Sequence, residues 1–331
     1  MRIVFAGTPE FAVPSLRALV AAGHQVAGVV TREDAPLGRK RVLTPSPVAV
    51  AAEELGIPTF RANKLSDEAT AWVRDLSPEL GVIVAYGGLV REPLLSLPGH
   101  GWINLHFSDL PRWRGAAPVQ RALQAGEQRL GVSVFRLVEA LDAGDILTRD
   151  SLDFPSGTAA GEALTDLAGF GTEALLDAIA VLQNDPAAGE PQAGEASYAH
   201  KLRREDGALD LTRPAAEVLA HWAGVTPEPG AFVRFDGATL KVLELIPAEP
   251  SPASHSSEPD SGHVVERVDA SAGSPTTAVA TTRATVRLVS GAAMLSLPGG
   301  VLELARVQPA GKPAMSGADW LRGRGGEAVL S

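Results

Sequence analysis

The stretch RIVFAGTPEFAVPSLRALVAAGHQVAGVVT, Arg2 to Thr31, decides the fold class. It opens on an apolar run, RIVFAG (Arg2–Gly7), passes through a helical pattern, FAVPSLRALVAAG (Phe11–Gly23), and closes on a second apolar run, QVAGVVT (Gln25–Thr31). Strands that are apolar at nearly every position, rather than at every second one, are buried on both faces, so this βαβ unit predicts a mostly parallel sheet sandwiched between helices. Gly7 at the end of the first run allows a tight turn. The dinucleotide pattern G-x-G-x-x-G does not follow it, and no Walker sequence is found, so a nucleotide cradle is not expected there.

The same alternation continues outward. SPVAVAAEELG (Ser46–Gly56) has helical spacing. Further strands are expected at LGVIVA (Leu80–Ala85), WINLHF (Trp102–Phe107), VSVFRLV (Val132–Val138) and DILTRDSL (Asp145–Leu152), before a long helical pattern from Thr158 to about Gln183. NDPAAGEPQAGEAS (Asn184–Ser197) offers little to bury and reads as a linker. Beyond it AFVRFDG, TLKVLELI, TVRLVSG, AMLSLPG and VLELARV are short strands separated by turn residues, which predicts a small β-barrel of roughly five strands. The expected organisation is an α/β domain over residues 1–183, a linker over 184–206 and a smaller barrel domain over 207–331. Within the barrel, 247–283 is a low-complexity insertion.

A chain of 331 residues fits two domains better than one. It has no cysteine, which excludes disulfides, zinc–thiolate sites and thiol nucleophiles and suits a cytoplasmic protein. A net charge of −10 argues against a surface coated in basic residues, although local basic patches remain open. The amino terminus lacks the apolar core of a signal peptide, and the longest apolar run, LGVIVAYGGLV, is far shorter than the roughly 20 residues of a membrane span, so no membrane association is expected.

Three positions carry the chemistry. Asn104 and His106 stand at i and i+2 in WINLHF, hence on one side of the sheet near a strand's carboxyl end, where ligands bind in open α/β sheets. Asp142, in ALDAGDI (Ala140–Ile146), supplies a carboxylate. Singly, each has a structural reading: a mutually satisfied buried Asn–His pair and an ordinary Asp–Gly turn. Together they offer a donor, a titratable donor and a carboxylate that can orient the imidazole. With no G-x-S-x-G elbow, the attacking group is expected to belong to the substrate while the protein polarises a carbonyl.

NLHFSDLPRWRGAAPVQRAL together with ALDAGD resembles the signature of the folate-dependent formyltransferases, and PRWRGAAPVQRAL is similar to the transfer-RNA branch of that family. RIVFAGTPEFAVPSLRAL, GRKRVLTPSPV (Gly38–Val48) and RVQPAGKPAM (Arg306–Met315) agree, so the resemblance spans both predicted domains. It implies a Rossmann-like domain joined to an OB-like barrel that contacts RNA. It further implies Asn104, His106 and Asp142 as catalytic residues, 10-formyltetrahydrofolate as formyl donor without a metal, and methionyl initiator tRNA as acceptor. Folate contacts are implied at Ser108, Asp109, Leu110 and Pro111, where Asp109 replaces an apolar residue and is expected to point to solvent. Arg39, Lys40 and Arg41 are implied to meet the tRNA acceptor end, against the simpler reading of a solvated charged loop. A monomer is expected. A formyltransferase acting on a small amine, a formyl-folate hydrolase, and a non-catalytic RNA-binding protein on the same fold are the alternatives.

Overall fold

The computed structural model describes residues 1–38, 40–248 and 284–331. They form two compact units, Met1–Ala208 with Ala220–Ala231, and Leu209–Leu219 with Phe232–Ser331.

In the first unit the elements run β1 (Arg2–Gly7), α1 (Val13–Ala21), β2 (Gln25–Thr31), β3 (Ala35–Leu37), β4 (Val42–Thr44), α2 (Pro47–Glu54), β5 (Thr59–Arg61), α3 (Asp67–Asp75), β6 (Leu80–Val84), β7 (Trp102–His106), β8 (Arg114–Gly115), α4 (Pro118–Gln124), β9 (Arg129–Arg136), β10 (Ile146–Asp153), α5 (Ala160–Asn184) and β11 (Tyr198–Ala199). Seven strands make one sheet in the order β10-β9-β7-β6-β1-β2-β5. Its first five strands in sequence are parallel, whereas β9 runs antiparallel to β7 and β10 antiparallel to β9. The apolar runs behave as their composition requires: every residue of β6, and every residue of β1 after Arg2, is buried. The order reverses between β1 and β6, and this is the edge on which ligand crevices open in such sheets.

Helix starts follow local chemistry. Ser46 caps α2 by accepting from the Ala49 amide at 3.0 Å, with Pro47 at the first helical position, and Ser66 caps α3 ahead of Asp67 and Glu68. In α5 the buried positions Ala160, Ala163, Leu167, Gly171, Ala174, Ala178 and Leu182 recur at helical spacing. A Cβ on Gly171 would lie 3.1 Å from the Leu105 side chain, so α5 sits close on the Leu105 face of β7. Asn104 and His106 occupy the opposite face, directly across from Phe135 and Ser133 of β9.

The stretch expected to be a linker is tied to the first unit instead. Arg136 Nε donates to Ala188 O at 2.7 Å, Glu190 and Ile146 exchange backbone bonds at 2.8 and 2.9 Å, and β11 pairs in parallel with β8. The physical reason is that Pro, Gly and Ala bring nothing bulky to bury, yet their backbone groups still take hydrogen-bond partners. This segment is held by polar bonds that a hydrophobicity pattern does not register.

The second unit carries α6 (Ala215–Val225), which the division between units splits after Leu219, then β12 (Phe232–Phe235), β13 (Ala238–Pro247), β14 (Ala284–Val289), β15 (Ala292–Leu297), β16 (Gly300–Pro309), β17 (Met315–Ser316), α7 (Gly317–Arg322) and β18 (Glu327–Leu330). The antiparallel path is β12-β13-β16-β15-β14-β18, with β17 on β16. Arg234 N donates to Ser331 O at 2.6 Å and Ser331 N to Arg234 O at 3.0 Å, which joins the two ends of the path into a nearly closed barrel. Among the described residues the barrel therefore has two strands more than the five expected, the short β17 and the carboxyl-terminal β18. The expected insertion at 247–283 falls mainly on 249–283, outside the described residues, while Pro247 still belongs to β13 and pairs with Leu302.

Candidate active site

β7 delivers His106 to the sheet's carboxyl edge, with the residue only 6% exposed and its ring edge-on to Phe135 at 6.3 Å. Its Nε2 lies 3.0 Å from the Trp113 carbonyl oxygen. A carbonyl only accepts, so Nε2 carries the proton and the neutral ring keeps its lone pair on Nδ1. Burial pushes the imidazole below its ordinary pKa, against the opposing pull of the Asp142 carboxylate and the Trp113 bond.

Asp142 sits on the β9–β10 connection with φ at 46°, a left-handed conformation that Asp tolerates better than most residues. Its Oδ2 accepts from the Gly115 amide at 2.7 Å. Thus the two groups are fixed by one short backbone stretch, Trp113 O holding the imidazole and Gly115 N the carboxylate. Gly115 itself needs to be glycine: its φ is 120°, and a Cβ would come 2.8 Å from Ala199 O. Asn104, one inward-facing position before His106, has its Oδ1 buried with no hydrogen-bond partner in the structure. An orphaned buried acceptor is costly, about 1–3 kcal/mol, and points to a donor brought by a ligand. The mutually bonded Asn–His pair considered from sequence is not formed, because each side chain is committed elsewhere or left open.

Residues 1–179 match the formyl transferase family, and residues 201–325 match its C-terminal domain. The chain belongs to the formyl transferase family. A methionyl-tRNA formyltransferase from Leifsonia xyli is 53% identical over 331 residues, all of both chains. Among solved structures, an N-formyltransferase from Helicobacter canadensis, in complex with folinic acid and dTDP-3-aminofucose, shares the fold at TM-score 0.64 and 13% identity, over 92% of this chain and 98% of the other. HypX from Aquifex aeolicus, in complex with tetrahydrofolic acid, aligns at TM-score 0.59 and 17% identity over 97% of this chain, which spans 47% of HypX.

In this formyl transferase the segment after His106 is mostly interior. Ser108 and Leu110 are 3% and 0% exposed and Pro111 is buried, whereas Asp109 faces outward and pairs with Arg149 at 3.3 Å. Ser133 pins the turn, donating from Oγ to Ser108 O at 2.8 Å and accepting from Leu110 N at 3.2 Å. A cleft of about 400 Å³ opens beside this segment, lined by Ser108, Asp109, Arg112, Trp113, Arg129 and Arg149 among others, but by none of Asn104, His106 and Asp142. Its three arginines each pair with a carboxylate, Arg112 with Glu127, Arg129 with Asp153 and Arg149 with Asp109.

Of the basic residues expected at the acceptor end, Lys40 and Arg41 lie on a β3–β4 hairpin that the sequence reading treated as a loop. Arg39 is outside the described residues. Lys40 and Arg41 are exposed at the tip, and Leu37, Val42 and Leu43 are 66%, 59% and 67% exposed on the flanks. Among the described residues no group of three or more His, Cys, Asp or Glu side chains could hold a metal ion, and no helix is long and apolar enough to cross a membrane.

Sequence reasoning missed Trp113, Gly115 and Gln192. The first two stand inside the PRWRG motif, but their contribution is through backbone atoms, which residue types do not advertise. Gln192 lies in the segment set aside as a linker.

Proposed function

We propose that this chain transfers a formyl group from 10-formyltetrahydrofolate to the α-amine of methionyl initiator tRNA. The observation that carries the reading is the unpartnered, buried Asn104 Oδ1 beside a buried imidazole that feels the charge of the Asp142 carboxylate; full-length identity of 53% to a methionyl-tRNA formyltransferase supports the choice of acceptor. Bound 10-formyltetrahydrofolate supplies the formyl carbon. Asn104 meets the reacting groups with both ends of its amide, Oδ1 accepting from the incoming amine and Nδ2 donating to the formyl oxygen as negative charge gathers on it. Loss of one such donor costs about 3–4 kcal/mol of transition-state stabilisation. His106 takes the amine proton on Nδ1 and returns it to the departing nitrogen, a role worth about 100-fold to 10,000-fold. Asp142 stabilises the transient imidazolium without leaving the Gly115 amide. Ser108 to Pro111 hold the folate through backbone groups.

The test is steady-state formylation by Asn104→Ala, His106→Ala and Asp142→Asn, with folding followed by circular dichroism. Each variant is expected to lose about 100-fold or more in kcat with little change in KM for the tRNA. Near-normal turnover in all three would remove these residues from the reaction.

A further inference from the structure

The β9–β10 connection that carries Asp142 packs on the core only at its start, through Leu137; beyond it apolar burial stops, with Val138 40% and Leu141 52% exposed. It also contains two awkward backbone positions: Asp142 at positive φ, and Gly144, where a Cβ would lie 1.8 Å from Arg136 O. Besides the Gly115 bond to the Asp142 carboxylate and a backbone bond from Arg136 N to Asp145 O, the stretch around Asp142 is held by one side chain from the segment that follows α5. Gln192 Nε2 donates to Asp142 O at 2.8 Å and to Gly144 O at 2.9 Å, while its Oε1 accepts from Arg114 Nη2 at 2.6 Å and Nε at 3.2 Å.

This amide fits its place in one orientation only. A guanidinium can only donate and the two carbonyls can only accept, so a flipped amide would oppose both sets of partners. The anchor itself is firm. Ser197 Oγ accepts from Trp113 N at 2.9 Å, Arg114 N donates to Ser197 O at 2.8 Å, and β11 pairs with β8 at Arg114 and Gly115. Gln192, held by the Arg114 side chain, and the Gly115 amide thus grip the same residue, one by its backbone and the other by its carboxylate.

We propose that Gln192 is a positioning residue that sets the Asp142 carboxylate for catalysis. The proposal rests on the catalytic reading of Asp142 above. Gln192→Met keeps the side-chain length and removes all four bonds; Gln192→Glu keeps the Arg114 contact but sets a carboxylate against two carbonyl oxygens. Both are expected to lower kcat about tenfold in formylation of methionyl initiator tRNA, with KM for folate and tRNA within about twofold and an unchanged circular dichroism spectrum. Combined with Asp142→Asn, Gln192→Met should add less than a further twofold loss, because the group it positions is already disabled. Wild-type kcat in Gln192→Met, or a tenfold loss that persists in full in the Asp142→Asn background, would overturn the proposal. The two readings separate cleanly: a slow Asp142→Asn with a normal Gln192→Met refutes only the positioning role, whereas a normal Asp142→Asn refutes the catalytic reading and the positioning role with it.

Discussion

Asn104 and His106 were legible as residues because a polar amide and an imidazole inside an apolar strand demand an explanation, and β7 places them on the face away from α5. The tautomer of His106 was not, since it depends on the Trp113 carbonyl, a backbone atom contributed by a residue at φ 60°. Burial of His106 has a consequence for stability. Its folded pKa lies below the unfolded value of about 6.5, so the unfolded chain binds more protons between the two values. The stabilising contribution is complete above about pH 6.5 and is lost as pH falls toward the folded pKa. Urea unfolding between pH 7.5 and 5 should show stability falling with pH, and His106→Gln should flatten part of that slope; the remainder includes His24, lowered by burial and by the amino-terminal charge. An unchanged slope in His106→Gln would contradict the burial argument. Ser133 offers a second check. It is 0% exposed and satisfies Ser108 O and Leu110 N, so Ser133→Ala leaves two buried backbone groups unpaired and is expected to cost about 1–3 kcal/mol by chemical denaturation.

At the scale of elements, the strands that came through clearly are those with long apolar runs, mostly buried, β1, β2, β6 and β7, together with α5, where apolar spacing runs for 25 residues. The elements that did not are short or held by polar bonds. β5 has three residues and the β3–β4 pair three each, too few for a period to emerge, and the 184–199 segment is fixed by backbone ladders and by Gln192. Seeing a hairpin rather than a loop sharpens one expectation: it projects Lys40 and Arg41 on an exposed, defined element instead of a solvated coil. Replacing Lys40 and Arg41 by Ala should reduce the slope of log affinity for tRNA against log salt by about 0.7–0.9 per lost phosphate contact, leaving thermal stability unchanged. Arg39→Ala is expected to weaken formylation of charged initiator tRNA at least tenfold. An unaltered salt slope, with full activity in Arg39→Ala, would return the hairpin to a solvated surface.

For the whole molecule, the mostly parallel sheet and the barrel followed from composition and periodicity, but the division of the chain did not, because Ala220–Ala231 rejoins the first unit after Leu209–Leu219 has entered the second. A chain of net charge −10 that acts on RNA relies on local basic elements rather than on its overall field. The 53% identity over the full length to a methionyl-tRNA formyltransferase points to the same acceptor. These considerations converge on the identity of the amine, which one competition assay decides. The full chain is incubated with 10-formyltetrahydrofolate, methionyl initiator tRNA and glycinamide ribonucleotide together, and the formylated products are separated and counted. Formyl groups on the methionyl-tRNA, with the ribonucleotide unmodified, are predicted; formylation of the ribonucleotide in preference to the tRNA, or release of formate without transfer to either amine, would contradict the account.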